Sequence, residues 1–195
     1  MLMHKIVASG LALLMIQPAL AQVQPCGAPA DAVNASDEER LAGIVKSRTR
    51  GLAAALLADR AADRVTISAL YTPGFTPTSS LPDGDYQCRT IKLGGMLPAV
   101  VYDYFSCRIG EEGSSIAKTS GSQRFSGSLT PSNGGFFYRG ALHFGDEQPV
   151  LYGSDGERNQ VGCLYQVAGE DQRYLLELPS PMFESLHDVV ELVAR

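Results

Sequence analysis

Few side chains beyond residue 21 could carry chemistry, and each must be weighed against a simpler role. The histidines there are His143 and His187. Histidine is the side chain whose ordinary titration spans neutrality, and a serine–histidine–aspartate relay could draw on His143, Ser122 and Asp155. No G-x-S-x-G elbow exists to present the serine, however. His143 also alternates with Phe137 and Ala141 along a strand-like run, which favours a hydrogen-bonded structural histidine. The run GSDGERN, residues 153–159, places Asp155, Glu157 and Asn159 at alternate positions, as a calcium loop does. It lacks the D-x-[DN]-x-[DN]-G order and has Arg158 among the oxygens, so it reads as a polar turn. No metal and no cofactor is expected.

Binding residues are easier to nominate than catalytic ones, of which none is assigned. In SGSQRFSGS, residues 120–128, small residues surround Gln123 and Arg124. A long cation and an amide on a thinly covered backbone suit recognition of a carboxylate or insertion into a partner's cleft. Arg89 shares a strand face with Ile91 and Leu93, so an inward orientation would require a paired guanidinium, either closing a barrel or anchoring a pocket. The candidate binding set is Arg89, Gln123, Arg124 and His143.

The cysteines read as framework. The chain has four, Cys26, Cys88, Cys107 and Cys163, with no C-x-x-C pair among them. An even count in an exported chain implies two bridges. Cys88 and Cys107 fall in strand-like runs one strand apart, so antiparallel pairing brings their sulfurs together. Cys26–Cys163 follows by elimination.

Export is read from MLMHKIVASGLALLMIQPALAQ, with a basic start at His4 and Lys5, an apolar run from Ile6 to Ile16 and the small-x-small pattern Ala19-Leu20-Ala21. This is the grammar of a signal peptide cleaved near Ala21, and the run is too short to span a membrane. Stable membrane insertion is therefore not expected, and the location is periplasmic or secreted. Loss of Lys5 takes the formal charge from -5 to -6, and from Arg139 onward ten acidic residues face four basic ones. That balance repels phosphate backbones, which excludes nucleic acid as a partner.

These residues must be positioned by helices first and strands later. From Asn34 the pattern is helical, with Ser36 and Glu39 as a capping box and Leu41, Ile44, Val45, Leu52, Ala55 and Leu56 on one face. Arg40, Lys46, Arg48 and Arg50 mostly decorate the other face, and Gly51 predicts a bend or break. A second helix is expected over Ala61–Tyr71, then a Pro/Gly/Ser/Thr-rich linker. Short β-rich segments follow at 86–93, 99–109, 115–120, 124–130, 136–144, 149–152, 161–168 and 173–178. The last segment, 188–193, fits either a helical stripe or a strand, and its valine density favours a strand.

The ordered motifs GDYQCRTIKLG, FSCRI, TSGSQRFSG, YGSD and ESLHDVVELV resemble a family of exported alphaproteobacterial proteins, the domain of unknown function numbered forty-eight ninety-three. The resemblance covers most of the chain after the leader. It implies envelope export and a helix followed by a β-rich domain, and it brings no activity. Family members tend to carry tryptophan after the glycine matching Gly162, where this chain has Cys163. TSGSQRFSG is also similar to the serine- and glycine-rich loop of periplasmic lysozyme inhibitors.

The expected fold is α+β and disulfide-braced: an N-terminal helical segment followed by an antiparallel β-barrel-like domain of about eight strands. The expected organisation is a signal peptide at 1–21, a tail at 22–33, helices at 34–72, a linker at 73–84 and the barrel at 85–195. The expected function is a non-catalytic binding or inhibitor-like module whose partner is an envelope protein or a small apolar ligand. A hydrolase with its site at one barrel mouth and a structural envelope component are the alternatives.

Overall fold

The computed structural model describes residues 24–145 and 147–195; the expected signal peptide lies outside the described residues. Three helices open the fold, α1 (Ala35–Ala42), α2 (Ile44–Ala55) and α3 (Ala61–Tyr71). The cap of α1 is Asn34 rather than the Ser36–Glu39 box. Its extended backbone lets Oδ1 accept the Asp37 N–H at 2.8 Å, one residue ahead of the helix. Ser36 already lies inside the first turn.

The break expected at Gly51 occurs at Gly43, whose N–H closes α1 on the Glu39 and Arg40 carbonyls. Gly51 lies within α2 and lets it touch the sheet: a Cβ there would meet Leu93 Cβ at 2.9 Å and His187 Cβ at 3.0 Å. The buried face of α2 is Ile44, Ser47, Gly51 and Ala55. Val45 and Leu56, expected on that face, are exposed. The helix has rotated toward its small residues because these permit close approach, whereas the larger side chains would hold it away.

Ten strands form one antiparallel sheet. After β1 (Phe75–Thr76) come β2 (Gly84–Leu93), β3 (Ala99–Val101), β4 (Phe105–Gly110), β5 (Ser115–Lys118) and β6 (Gln123–Ser132). Then follow β7 (Gly135–Phe144), β8 (Asn159–Val167), β9 (Arg173–Pro179) and β10 (His187–Ala194). The order β8-β7-β6-β5-β4-β2-β10-β9 closes through a β8–β9 pairing into an eight-stranded barrel, with β1 added beside β8 and β3 beside β2. The segment expected as one strand over 99–109 is two, and the final segment is a strand. Residues 149–152 form no strand. Pro149 lacks a ladder donor, and Tyr152 instead turns onto α1, its hydroxyl donating to Asp37 at 2.6 Å.

Strand alternation gives the wall two apolar faces. Tyr86, Ile116, Phe125, Phe136, Tyr138, Leu164, Leu176 and Val190 fill the lumen, as an eight-stranded barrel allows. Outside, Ile91, Leu93, Leu175 and Val189 pack beneath α2 and α3 with Ala55, Ile67 and Leu70. Cys88–Cys107 bridges β2 and β4 on the lumen side, and Cys26–Cys163 ties the N-terminal segment to the outer wall, with Cα separations of 5.7 and 5.6 Å. Both bridges match the expected pairing.

The contact at Gly51 sets a test with a defined sign. On an exposed helix Gly→Ala stabilises by about 1 kcal/mol, but here the added methyl overpacks the Cβ atoms of Leu93 and His187, which the paired strands β2 and β10 hold in place. Gly51→Ala should therefore lower stability by about 1–3 kcal/mol, read from urea midpoints.

Candidate functional site

One end of the molecule concentrates features the barrel does not need in order to stand. The β9–β10 loop, 180–186, holds Ser180 and Glu184 at φ 44° and 70°. Non-glycine residues there cost roughly 1–3 kcal/mol each and persist only where neighbours enforce them. The enforcing bonds run from Ser180 N–H to the Leu186 carbonyl and Ser47 Oγ, from Leu186 N–H to the Leu93 carbonyl, and from Met96 N–H to the Glu184 carbonyl. Gly95, at φ 98°, lies so close to the loop that a Cβ would fall 2.1 Å from the Glu184 carbonyl oxygen. The β2–β3 loop, residues 94–98, is thus pinned against 180–186.

Around these loops the barrel mouth combines charged and apolar side chains. Lys92 projects from the lumen face of β2, paired with Glu184 and 3.3 Å from Gln123 Oε1. Burial pushes the Asp188 carboxyl up to about 6, although Ser185 donates to it at 2.5 Å and the charges of Lys92 and His187 oppose the shift. Lys118, over the Phe105 ring at 4.2 Å, is drawn down to about 8 by burial and by the charges of Arg124 and Lys92. Met182 and Phe183, at the edge of the mouth recess, are 51 and 41 % exposed, and Met96 and Leu97, beside it, are 85 and 59 % exposed.

Behind the loop a buried polar network joins α2 to the barrel wall. Glu177 on β9 is fully buried and receives both arms of Arg48, one at 2.6 Å, together with the Tyr71 hydroxyl at 2.9 Å. Burial alone would raise its carboxyl, but the polar contacts and charges of His187 and Arg48 outweigh that and hold it at about 2. His187 Nδ1 lies 2.9 Å from Ser47 Oγ, and Nε2 lies 3.4 Å from Glu177 Oε1 without forming a hydrogen bond. The three residues resemble a nucleophilic relay on paper. Ser47 Oγ, however, donates to the Leu186 carbonyl at 2.7 Å and accepts the Ser180 N–H at 3.1 Å. With those bonds and the His187 contact made, its oxygen is occupied, and the chain serves as a bolt.

The residues nominated from sequence do not form one site. Gln123 reaches the mouth. Arg124 and His143 are cross-strand partners on the outer face of β6 and β7, where Arg124 Nε donates to the Gly121 carbonyl at 2.9 Å. Burial and the charges of Arg124 and Arg158 lower the His143 imidazole against the opposing pull of Glu147. His143 Nδ1 has no hydrogen-bond partner among the described residues. Arg89 points out of the barrel, not into it. It donates to Glu191 at 2.5 Å, stacks on Tyr104, and shares that buried carboxylate with Arg173. Asp155 caps the 3-10 turn at Gly156–Arg158 and pairs with Arg158.

The model of a protein family matches residues 30–192. The chain belongs to the family described as Domain of unknown function (DUF4893). No curated protein and no solved structure matches it. The geometry of this DUF4893 chain therefore has to speak for its chemistry directly.

The Arg48–Glu177–Tyr71 network escaped the sequence reading, although a signal existed. In YLLELP both faces of the strand are apolar, so Glu177 is buried whichever way the sheet packs, and a buried carboxylate demands a cation. The same logic applies to Glu191 in VVELV.

In this DUF4893 chain the two shifted carboxyls pull stability in opposite directions with pH. The Glu177 contribution is complete above 4.5 and disappears as pH falls toward about 2, whereas that of Asp188 is complete below 3.8 and disappears as pH rises through about 6. Urea melts across this range should show Glu177→Gln flattening the acid limb at a cost of roughly 3–5 kcal/mol near neutrality. Asp188→Asn should flatten the other limb and gain up to about 3 kcal/mol above pH 6.

Proposed function

We propose that the protein is an exported, non-catalytic binding module of inhibitor-like kind that engages a protein partner through the rim formed by loops 94–98 and 180–186. The observation that carries this reading is the quartet Met96, Leu97, Met182 and Phe183, projecting to solvent from two loops whose backbones are pinned to each other. Apolar side chains held outward on a strained, hydrogen-bonded frame suit insertion into a partner's apolar groove.

At this rim a small apolar ligand fits less well. The recess at the barrel mouth has a volume of about 40 Å³ and the one beside Met96 and Tyr102 about 200 Å³, against roughly 300–1,000 Å³ for typical ligand pockets. Hydrolysis is not favoured, because Ser47 is bonded on both sides and His143 joins no relay among the described residues. The leader-like N-terminus and two disulfides support export to an oxidising compartment. Among the described residues no helix is long and apolar enough to cross a membrane.

A photo-crosslinking residue in place of Phe183, introduced in cells that export the protein, tests the reading. A discrete protein adduct is expected at this position and not at Val65, which is 69 % exposed on α3. Met96→Asp with Leu97→Asp should abolish the adduct at unchanged melting temperature. Equal labelling from both positions, or an adduct indifferent to the aspartates, would remove the rim as the binding surface.

A further inference from the structure

Across the 180–186 loop from the barrel mouth lies a cleft of about 390 Å³, walled by α1, the first half of α2 and the loop itself. Ser36, Ser47, Ser180 and Ser185 line it, and no aromatic side chain does. Its charge runs against that of the molecule. Residues 40–50 hold four basic side chains and no acidic one, in a chain of formal charge -5. Two of the four are already engaged, Arg40 by Asp37 and Arg48 by Glu177. Lys46 and Arg50, one helical turn apart, line the cleft without an ion pair or hydrogen bond among the described residues.

A second observation points into the same space. Ser180 is held in the left-handed region by its N–H bonds to Ser47 and Leu186, and its hydroxyl has no partner among the described residues. On the facing helix Glu39 offers an exposed acceptor. Two unpaired cations, a free hydroxyl and a carboxylate in a polar-walled recess make a set that an apolar or stacking ligand would leave unsatisfied.

We infer that this cleft binds a hydroxylated organic anion of about the size of a monosaccharide. Its carboxylate or phosphoryl group lies between Lys46 and Arg50, and its hydroxyls meet Ser180 and Glu39. The site is independent of the protein-binding rim, since Met96, Leu97, Met182 and Phe183 do not line it.

Calorimetric titration of the exported, disulfide-intact protein with glucuronate, glucose 6-phosphate and neutral glucose tests the inference. At least one of the two anions should bind ten-fold or more tightly than glucose, and added salt should weaken it; which one binds identifies the anionic group. Lys46→Ala combined with Arg50→Ala alters exposed residues and should lower that affinity at least ten-fold without changing the melting temperature. Glu39→Gln should weaken the sugar anion more than inorganic phosphate. Neither anion exceeding glucose, or the double variant binding as the native protein does, would overturn the site.

Discussion

The structure depends on a carboxylate placed where none would survive alone. Glu177 lies on β9, a strand with the lumen on one side and the helices on the other, and no water reaches it. Removing one partner of such a pair costs several kcal/mol, so α2 has few ways to dock. It must present Arg48 to Glu177, and one helical step in either direction would leave the charge uncompensated. With Arg48 fixed, Gly51 lies against the Cβ atoms of Leu93 and His187, and Ser47 falls beside His187 and the end of the 180–186 loop. Close approach, helix rotation and the loop bolt are therefore consequences of one ion pair rather than separate features.

The loop inherits its shape from this arrangement. Residues 180–186 connect two strands that both lie under α2, and their ends are tied to Ser47 and Leu93. Strain at Ser180 and Glu184 is tolerable because the bonds that impose it belong to the same rigid core. The loop also divides the surface at this end, with the barrel mouth and the apolar rim on one side and the polar cleft on the other. Arg40 and Pro181 border both recesses.

The barrel and the Cys88–Cys107 bridge were legible in the sequence because both follow from local, period-two information, whereas Cys26–Cys163 followed only by elimination. Cys88 and Cys107 needed only to be on adjacent antiparallel strands, and the β2–β4 ladder places them so. The errors came where tertiary packing overrides local pattern. Large apolar residues predict one helix face, but Val45 and Leu56 are exposed while Ser47 and Gly51 face the barrel. Asn34 outcompeted Ser36 as a cap because position, not residue type alone, decides which side chain reaches the free N–H groups. The nominated polar residues fared likewise. Arg89 is paired as its neighbours required, yet its partner Glu191 is more than a hundred residues along the chain, beyond any local signal.

A filled barrel restricts where binding can occur. Eight strands leave a lumen just wide enough for side chains, and here the tyrosines, phenylalanines and aliphatic residues occupy it, so the proposed recognition would be exterior. The helices cover the outer side of β8, β9, β10 and β2, and the strand connections at the mouth offer a further surface. Of these, the pair 94–98 and 180–186 is held by cross-loop hydrogen bonds and by a glycine too close to its neighbour for any other residue. Such a frame lowers the ordering cost of association. Its methionines keep the side-chain adaptability that lets a fixed backbone fit an irregular groove. A rigid backbone carrying pliable tips is the combination that the proposed binding by shape and apolar contact would use, and the strain at Ser180 and Glu184 is part of that rigidity.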